Sequence, residues 1–453
     1  MLPLKAVKRE WWWIFKFLYM TILRALRGIL PLLAVFLGSC AGTGKTAGAR
    51  NALVLSPSLA GAHTGILVTD AVTGKRLLDY QGEKYFIPAS NTKIVTCYAA
   101  MKYLGDSLPG IRYHALADGT VEIAGTGDPV LLHPEFASQR VLDFLKTFKR
   151  INWIEPIFDE ALGSGWQWDD YYDSYMVQRS PLPMYGNVAR FTRGTKRSVT
   201  VLPAQFAASI KPGSAAGPGG MKVIRDWDKN EFTILAGNHV KQDVPFNANM
   251  GTMRELLEQA TGLPVESDPF GSLPLEGSGI IHSVPTDSLL RPMMYRSDNF
   301  FAEQALMMVS RQLLHRFDIA AVTDTLLKSD LKDLPQTPHW ADGSGLSRYN
   351  LFSPADLIMV LRKMMELPGG TARLKAIFPT GGQGTLKNYY VTDSSLIYAK
   401  TGTMSAVVTL SGLLYAKSGR LLLFSVMVNN SRSSATDVRR EVEIFIEKVR
   451  QRY

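Results

Sequence analysis

The chain has 453 residues, 46% hydrophobic and 20% charged, enough to bury a sizeable core and to fill two or three domains. Lys and Arg number 50 against 40 Asp and Glu, a formal charge of +10, but half of that excess sits in residues 1–39. The remaining +5 makes no case for a nucleic-acid partner. Two cysteines, Cys40 and Cys97, exclude a disulfide framework and a multi-thiolate metal site.

Residues 1–39 read as an address. An apolar run over 28–37 follows Arg24 and Arg27 and closes on Leu37, Gly38, Ser39 and Cys40. That is a charged region, a short apolar region and a small-residue cleavage site, and it falls short of the roughly 20 residues that span a bilayer. It resembles a bacterial lipoprotein signal, in which the new N-terminal cysteine, here Cys40, receives the lipid. Met20 to Cys40 alone would form a complete signal, which leaves the start open between Met1 and Met20. Residues 40–52 are mostly small and polar, suiting a flexible tether. Gly42 to Thr46 spells GTGKT, but Ser39 stands where a phosphate loop needs glycine and no strand precedes it.

In chain order, 65–69 and 76–80 read as a hairpin about Val72, Thr73, Gly74 and Lys75. Pro88 and Ala89 lead into a helix presenting Ile94, Val95, Tyr98 and Met101 on one face. From 106 to 280 short strand-like pieces alternate with Gly/Pro-rich turns, the texture of a strand-rich insert. Helical periodicity returns over 286–314, with a kink expected at Pro292, and over 354–367. Three strands over 396–400, 406–416 and 420–428 precede a closing helix over 435–449. The expected organisation is an α+β core split between residues 53–105 and 281–453, an antiparallel sheet flanked by helices, with 106–280 inserted.

Three short motifs stand in order: Ser90, Asn91, Thr92, Lys93; then Ser297, Asp298, Asn299; then Lys400, Thr401, Gly402. A serine hydroxyl is a weak nucleophile until a base takes its proton, and Lys93, three residues on, shares its helix face. A lysine acts as base only with a lowered pKa, which burial and a second cation, Lys400, would supply. Ser90 at a helix N-terminus has backbone N–H groups for developing negative charge, and Thr403 on the strand can supply another. Gly402 would let an extended substrate approach. Ser297 is placed to relay a proton to the leaving nitrogen, and Asn299 to hold the substrate amide.

The triplet is the one that serine β-lactamases and penicillin-binding proteins share. The gap of 207 positions from Ser90 to Ser297 separates this chain from simple β-lactamases. With Gly125 to Pro129, the run from Asp342 to Arg348 before Asn350, and Gly381, Gly382, Gly384 and Thr385, the sequence resembles the type-4, low-molecular-mass penicillin-binding proteins, the D-alanyl-D-alanine carboxypeptidase/endopeptidase family, over nearly all of 60–450. The resemblance implies a transpeptidase-like core and an acyl-enzyme on Ser90. It implies peptidoglycan stem peptides as substrates, β-lactams as acylating agents, and no metal or organic cofactor. It also implies that Asp170 and Tyr175 read the free amine of the stem's diamino acid and that Arg348 lines the cleft. A lipidated Cys40 would place the enzyme in the cell envelope, periplasmic and membrane-anchored. A β-lactamase or esterase on the same scaffold would turn over a chromogenic cephalosporin faster than it releases D-alanine. A non-catalytic envelope scaffold would leave muropeptides unchanged.

Other residues read as structural. The seven histidines are scattered without metal spacing. Cys97 reads as a small buried hydrophobe, Met307 and Met308 as helix core, and Asp342 as part of a tight turn.

Overall fold

The computed structural model describes residues 44–453 apart from 155–157, 159, 196, 197, 212, 213 and 275. Cys40 and the segment read as a signal lie outside the described residues. The stretch read as a tether is instead largely helical. Helix α1 (Gly44–Val54) buries Leu53 in a cluster formed by the central sheet and the C-terminal helix, because its alanines favour helix and one leucine finds an apolar site.

Strands β1 (His63–Asp70) and β2 (Arg76–Tyr80) form the expected hairpin. The Asp70 carboxylate caps its turn, accepting from Val72 N at 3.1 Å and Thr73 N at 2.7 Å. A 3₁₀ turn over Ala89–Asn91 runs directly into α2 (Thr92–Tyr103), whose residues 92–101 are all buried.

The chain then leaves the central sheet. Strands β3 (Ser107–Ala115) and β4 (Thr120–Gly125), helix α3 (Arg140–Leu145) and strand β5 (Arg150–Ile154) come first. Next are β6 (Val188–Arg193), β7 (Val199–Leu202), β8 (Met221–Arg225), β9 (Phe232–Ala236) and β10 (Lys241–Pro245). Helix α4 (Met250–Thr261), β11 (Val265–Asp268) and β12 (Ser278–Pro285) complete the excursion. They build sheets ordered β11-β5-β4-β3-β12, β10-β6-β7 and β8-β9 around a core that includes Trp153, Phe191, Phe232 and Phe246. The edge expected at 280 falls inside β12. Its pairing with β3 continues to Pro285 opposite Ser107, where a helix takes over.

Where one kinked helix was expected over 286–314 there are two, α5 (Thr286–Tyr295) and α6 (Asn299–Leu314). Pro292 sits inside α5, and the break falls instead at Arg296 to Asp298. Ser297 adopts φ +64°, which no helix tolerates, and Asp298 caps α6 by accepting from Phe301 N at 3.0 Å. Helices α7 (Ile319–Lys328), α8 (Pro354–Glu366) and α9 (Gly370–Ile377) follow. Helix α8 opens on a capping box, with Ser353 and Asp356 each bonding the other's backbone.

Strands β13 (Ile397–Met404), β14 (Val407–Tyr415) and β15 (Leu421–Asn429) join β1 and β2 in an antiparallel sheet ordered β13-β14-β15-β1-β2. Helix α10 (Ala435–Arg452) closes the chain. Alternation along β15 sends Leu422, Phe424, Val426 and Val428 to the α10 face, and Leu423 and Met427 toward the helices opposite. Helices on both faces account for the largely apolar sequence of β14 and β15. The order leaves β13 at an edge, beside the turn carrying Ser90. Among the described residues no helix is long and apolar enough to cross a membrane.

Candidate active site

The turn carrying Ser90 is clamped to the sheet. Asn91 Nδ2 donates to Ser411 Oγ at 2.8 Å, and Ser411 Oγ donates to Ser425 Oγ at 2.8 Å, while Thr409 Oγ1 donates to Pro88 O at 2.8 Å. Ala89 is held at φ +46°, a strained conformation that persists only where packing enforces it. A Cβ on Gly402 would collide with Thr409 Oγ1 and lie 2.7 Å from Pro88 O and 3.1 Å from Ser90 N. The glycine expected to admit a substrate therefore serves first to let β13 press against the nucleophile's turn.

Lys93 is 0% exposed, and its Nζ lies 3.0 Å from Ser90 Oγ, 2.7 Å from Asn299 Oδ1 and 2.7 Å from Ser344 O. The last two partners only accept. A neutral amine has two hydrogens and one lone pair, so once both hydrogens are given to them the lone pair faces the Ser90 hydroxyl. Burial pushes the Lys93 pKa down to about 8, with Asp342, Glu303 and Asp298 opposing. Lys400 is also 0% exposed, donating to Ser297 Oγ at 2.8 Å and to Thr401 O at 2.7 Å. Its pKa falls well below the lysine range through burial first, then the neighbouring Lys93 and Arg439. Burial leads for both amines, and the effect of the second cation is felt at Lys400.

Asn299, the first residue of α6, divides its amide: Oδ1 accepts from Lys93, and Nδ2 donates to Tyr175 O at 3.0 Å. The donor expected to hold a substrate amide is thus engaged with the insert. The three residues of the second motif also build the helix start, through the left-handed Ser297, the Asp298 cap and Asn299 in the first turn.

Ala399 N, on the edge strand β13, donates away from β14 to Pro379 O at 3.1 Å. With a period of two and continuous register, the N–H groups of Thr401 and Thr403 point the same way. Thr403 is exposed at the strand end, its hydroxyl accepting from Arg439.

A cleft of about 380 Å³ opens over Ser90. Ser90, Asp170, Tyr175, Asn299, Arg348 and Thr403 line it, joined by Gln167, Gly345, Leu346, Met404 and Ser405. Arg348 donates to Ser405 O at 2.8 Å across one wall. The Tyr175 hydroxyl donates to Asp173 at 3.1 Å, and partial burial, then hydrogen bonding to Asp170 and Asp173, raises its pKa. Lys93, Ser297, Lys400 and Gly402 form the support behind. The Thr401 side chain, which the resemblance groups with the substrate-binding residues, lines a small cavity with Tyr389 and Val442 under α10. Cys97 is free, buried, and raised in pKa by that burial.

Sequence reasoning missed the layer beneath Lys93. Glu303 is fully buried one helical turn beyond Asn299. Its Oε1 accepts from Ser344 N at 2.7 Å, and its Oε2 lies 3.5 Å from Arg179. Ser344 therefore bridges Glu303 and Lys93 through its own backbone. Asp342 is more than a turn residue: it accepts from Gly345 N, Ser347 N and Asn350 Nδ2, and from Trp166 Nε1 of the insert at 2.9 Å. The i, i+4 spacing of Asn299 and Glu303 was the available signal for the first. No local signal marked the second.

A family model described as the D-Ala-D-Ala carboxypeptidase 3 (S13) family matches residues 49–237 and 279–449. The chain is 28% identical to a D-alanyl-D-alanine carboxypeptidase of Actinomadura sp. (strain R39), covering 89% of this chain and 86% of the relative. It is 25% identical to D-alanyl-D-alanine carboxypeptidase DacB of Haemophilus influenzae, with 82% and 86% covered. The crystal structure of penicillin binding protein 4 (dacB) from that organism superposes with a TM-score of 0.69 at 20% identity, over 89% of this chain and 98% of that one. The fold is therefore the α+β core of the penicillin-binding proteins with an inserted strand-rich region. The chain is a type-4, low-molecular-mass penicillin-binding protein and belongs to the D-Ala-D-Ala carboxypeptidase 3 (S13) family.

Proposed function

We propose that the protein removes the terminal D-alanine of peptidoglycan stem peptides, and opens D-alanyl cross-links, through an acyl-enzyme on Ser90. The reading rests on one observation above the others, the hydrogen-bond set that leaves only Ser90 Oγ facing the Lys93 lone pair. Lys93 takes the Ser90 proton as Oγ bonds to the carbonyl carbon of the penultimate D-alanine. The N–H groups of Ser90 and Thr403 hold the resulting oxyanion. Collapse breaks the C–N bond. Ser297, hydrogen-bonded to Lys400, passes a proton to the departing nitrogen and is resupplied with the proton Lys93 took from Ser90, so that Lys93 is neutral again; the nitrogen leaves as D-alanine from a free stem or as the amine of a neighbouring stem from a cross-link. Water then adds to the acyl carbon, gives its proton back through Lys93, and frees Ser90.

With a pKa of about 8, about one Lys93 in ten is neutral at pH 7, against about one in three thousand for an ordinary lysine. In this reading Asp170 and Tyr175, which line the cleft, receive a cationic side chain of the stem, and Arg348 is a further lining residue. Cleavage of cross-links, residence in the periplasm, and attachment through a lipidated Cys40 belong to this proposal, as does treating 107–285 as an insert in a split core. Digestion of purified sacculi, with muropeptides identified by mass, tests it: loss of terminal alanine and loss of cross-linked dimers are distinct products. Unchanged muropeptides would refute it.

A further inference from the structure

We propose that an exposed aromatic corner beside the cleft, built from Trp168, Trp227 and Tyr171, binds the glycan strand of the polymer whose peptides enter the active site. The inference rests on the peptidoglycan reading above and adds a second contact. Trp168 is 73% exposed and Trp227 53%, whereas the other described tryptophans, Trp153, Trp166 and Trp340, are buried or half-buried.

The two indoles meet edge to face, ring centres 6.2 Å apart and planes at 70°. The Tyr171 ring supports Trp227 at 4.6 Å. The arrangement is held from beneath. Arg225, 3% exposed, lies under the Tyr171 ring and donates to the backbone carbonyls of Pro245, Asp226, Trp227 and Lys229, while the Tyr171 hydroxyl donates to Arg225 O at 3.1 Å. A buried guanidinium thus fixes the hairpin turn that holds Trp227 out to solvent. By contrast Trp166, two residues before Trp168, spends its N–H on Asp342 of the core. The exposure of Trp168 is therefore a local arrangement, and not a property of the whole segment.

Continuity with the cleft and local chemistry both favour a sugar. Gln167 and Asp170 line the cleft while Trp168 between them faces outward, so the corner begins where the cleft ends. Flat indole faces suit the axial C–H faces of pyranose rings. Asp169 and Asp228, exposed beside the tryptophans, offer acceptors to sugar hydroxyls and N–H groups. The same carboxylates oppose an anionic lipid surface.

The test uses the Ser90→Ala protein, so that binding is measured independently of turnover. Calorimetry with peptide-free glycan strands of N-acetylated amino sugars should show binding. Adding Trp168→Ala and Trp227→Ala should weaken it about tenfold, and Trp168→Ala alone about threefold. With Ser90 present, the doubly substituted protein should be acylated by penicillin at the parent rate, which certifies the fold. Failure of D-alanine release with glycan binding intact would sink the catalytic reading and leave the corner standing. Unchanged glycan affinity in the double variant would overturn the proposal. So would binding to anionic phospholipid vesicles in place of glycan, or a parallel loss of penicillin acylation.

Discussion

Replacing Glu303 by Gln probes whether the buried charge behind Lys93 sets the pH at which the nucleophile becomes active. Glu303 Oε1 accepts from Ser344 N at 2.7 Å and Ser344 O accepts from Lys93 Nζ at 2.7 Å, so one residue's backbone separates carboxylate from amine. With ordinary bond lengths the two charges lie roughly 7 Å apart. A unit charge there is worth about 2.4 kcal/mol at an effective dielectric of about 20 and about 0.6 kcal/mol at about 80, or about 0.4 to 1.7 pH units. Burial and Asp342 hold the Glu303 pKa up to about 7, so its charge is largely present where Lys93 titrates. That charge favours the protonated amine, and removing it moves Lys93 further below about 8. Stopped-flow acylation by penicillin from pH 5 to 10 should show the rising limb displaced by about 0.4 to 1.7 units toward acid. A limb that stays in place or moves toward alkali would refute the coupling. Arg179 loses its counter-charge in the same variant, at about 3 kcal/mol, which a denaturant midpoint will read.

Three further outcomes are expected. Gly402→Ala would drive a methyl against Pro88 O and toward Ser90 N and shift the nucleophile's turn, cutting the acylation rate constant about 100-fold. An unchanged rate would mean that the turn and β13 are not rigidly coupled. Asp170→Asn with Tyr175→Phe should raise KM for stem peptides with a free amine at the diamino acid and leave the N-acetylated peptide unaffected; equal effects on both would remove these residues from amine recognition. Asp128 is buried and its pKa raised to about 7, so the folded state binds a proton that the unfolded chain releases. Its contribution to stability is complete below about pH 4 and is lost as pH rises through 7, by up to about 4 kcal/mol. Asp128→Asn should flatten the urea midpoint over that range, and a midpoint that stays equally steep would contradict the assignment.

Much of the site was legible because its chemistry lies in short local patterns. The i, i+3 spacing of Ser90 and Lys93 survives as a 3.0 Å contact. The strands read over 406–416 and 420–428 are present within a residue of those bounds. What stayed hidden depended on contacts distant in sequence. Ser344 joins Lys93 to Glu303 across 251 and 41 positions, and no local pattern encodes that bridge. The break between α5 and α6 was masked because apolar periodicity runs through it, whereas the backbone turns on the positive φ of Ser297. Gly402 was read for a ligand, whereas its close neighbours are Thr409 and the turn of Ser90. Trp168 and Trp227 meet only through the folding of the insert.

The most direct measurement is the position of the covalent label. Wild-type protein and Ser90→Ala are incubated with a fluorescent penicillin, digested and mapped by peptide mass. The expected result is one acyl adduct on the peptide carrying Ser90, absent from the variant. A label that persists in Ser90→Ala, or maps to another residue, would contradict the assignment of Ser90 as the nucleophile.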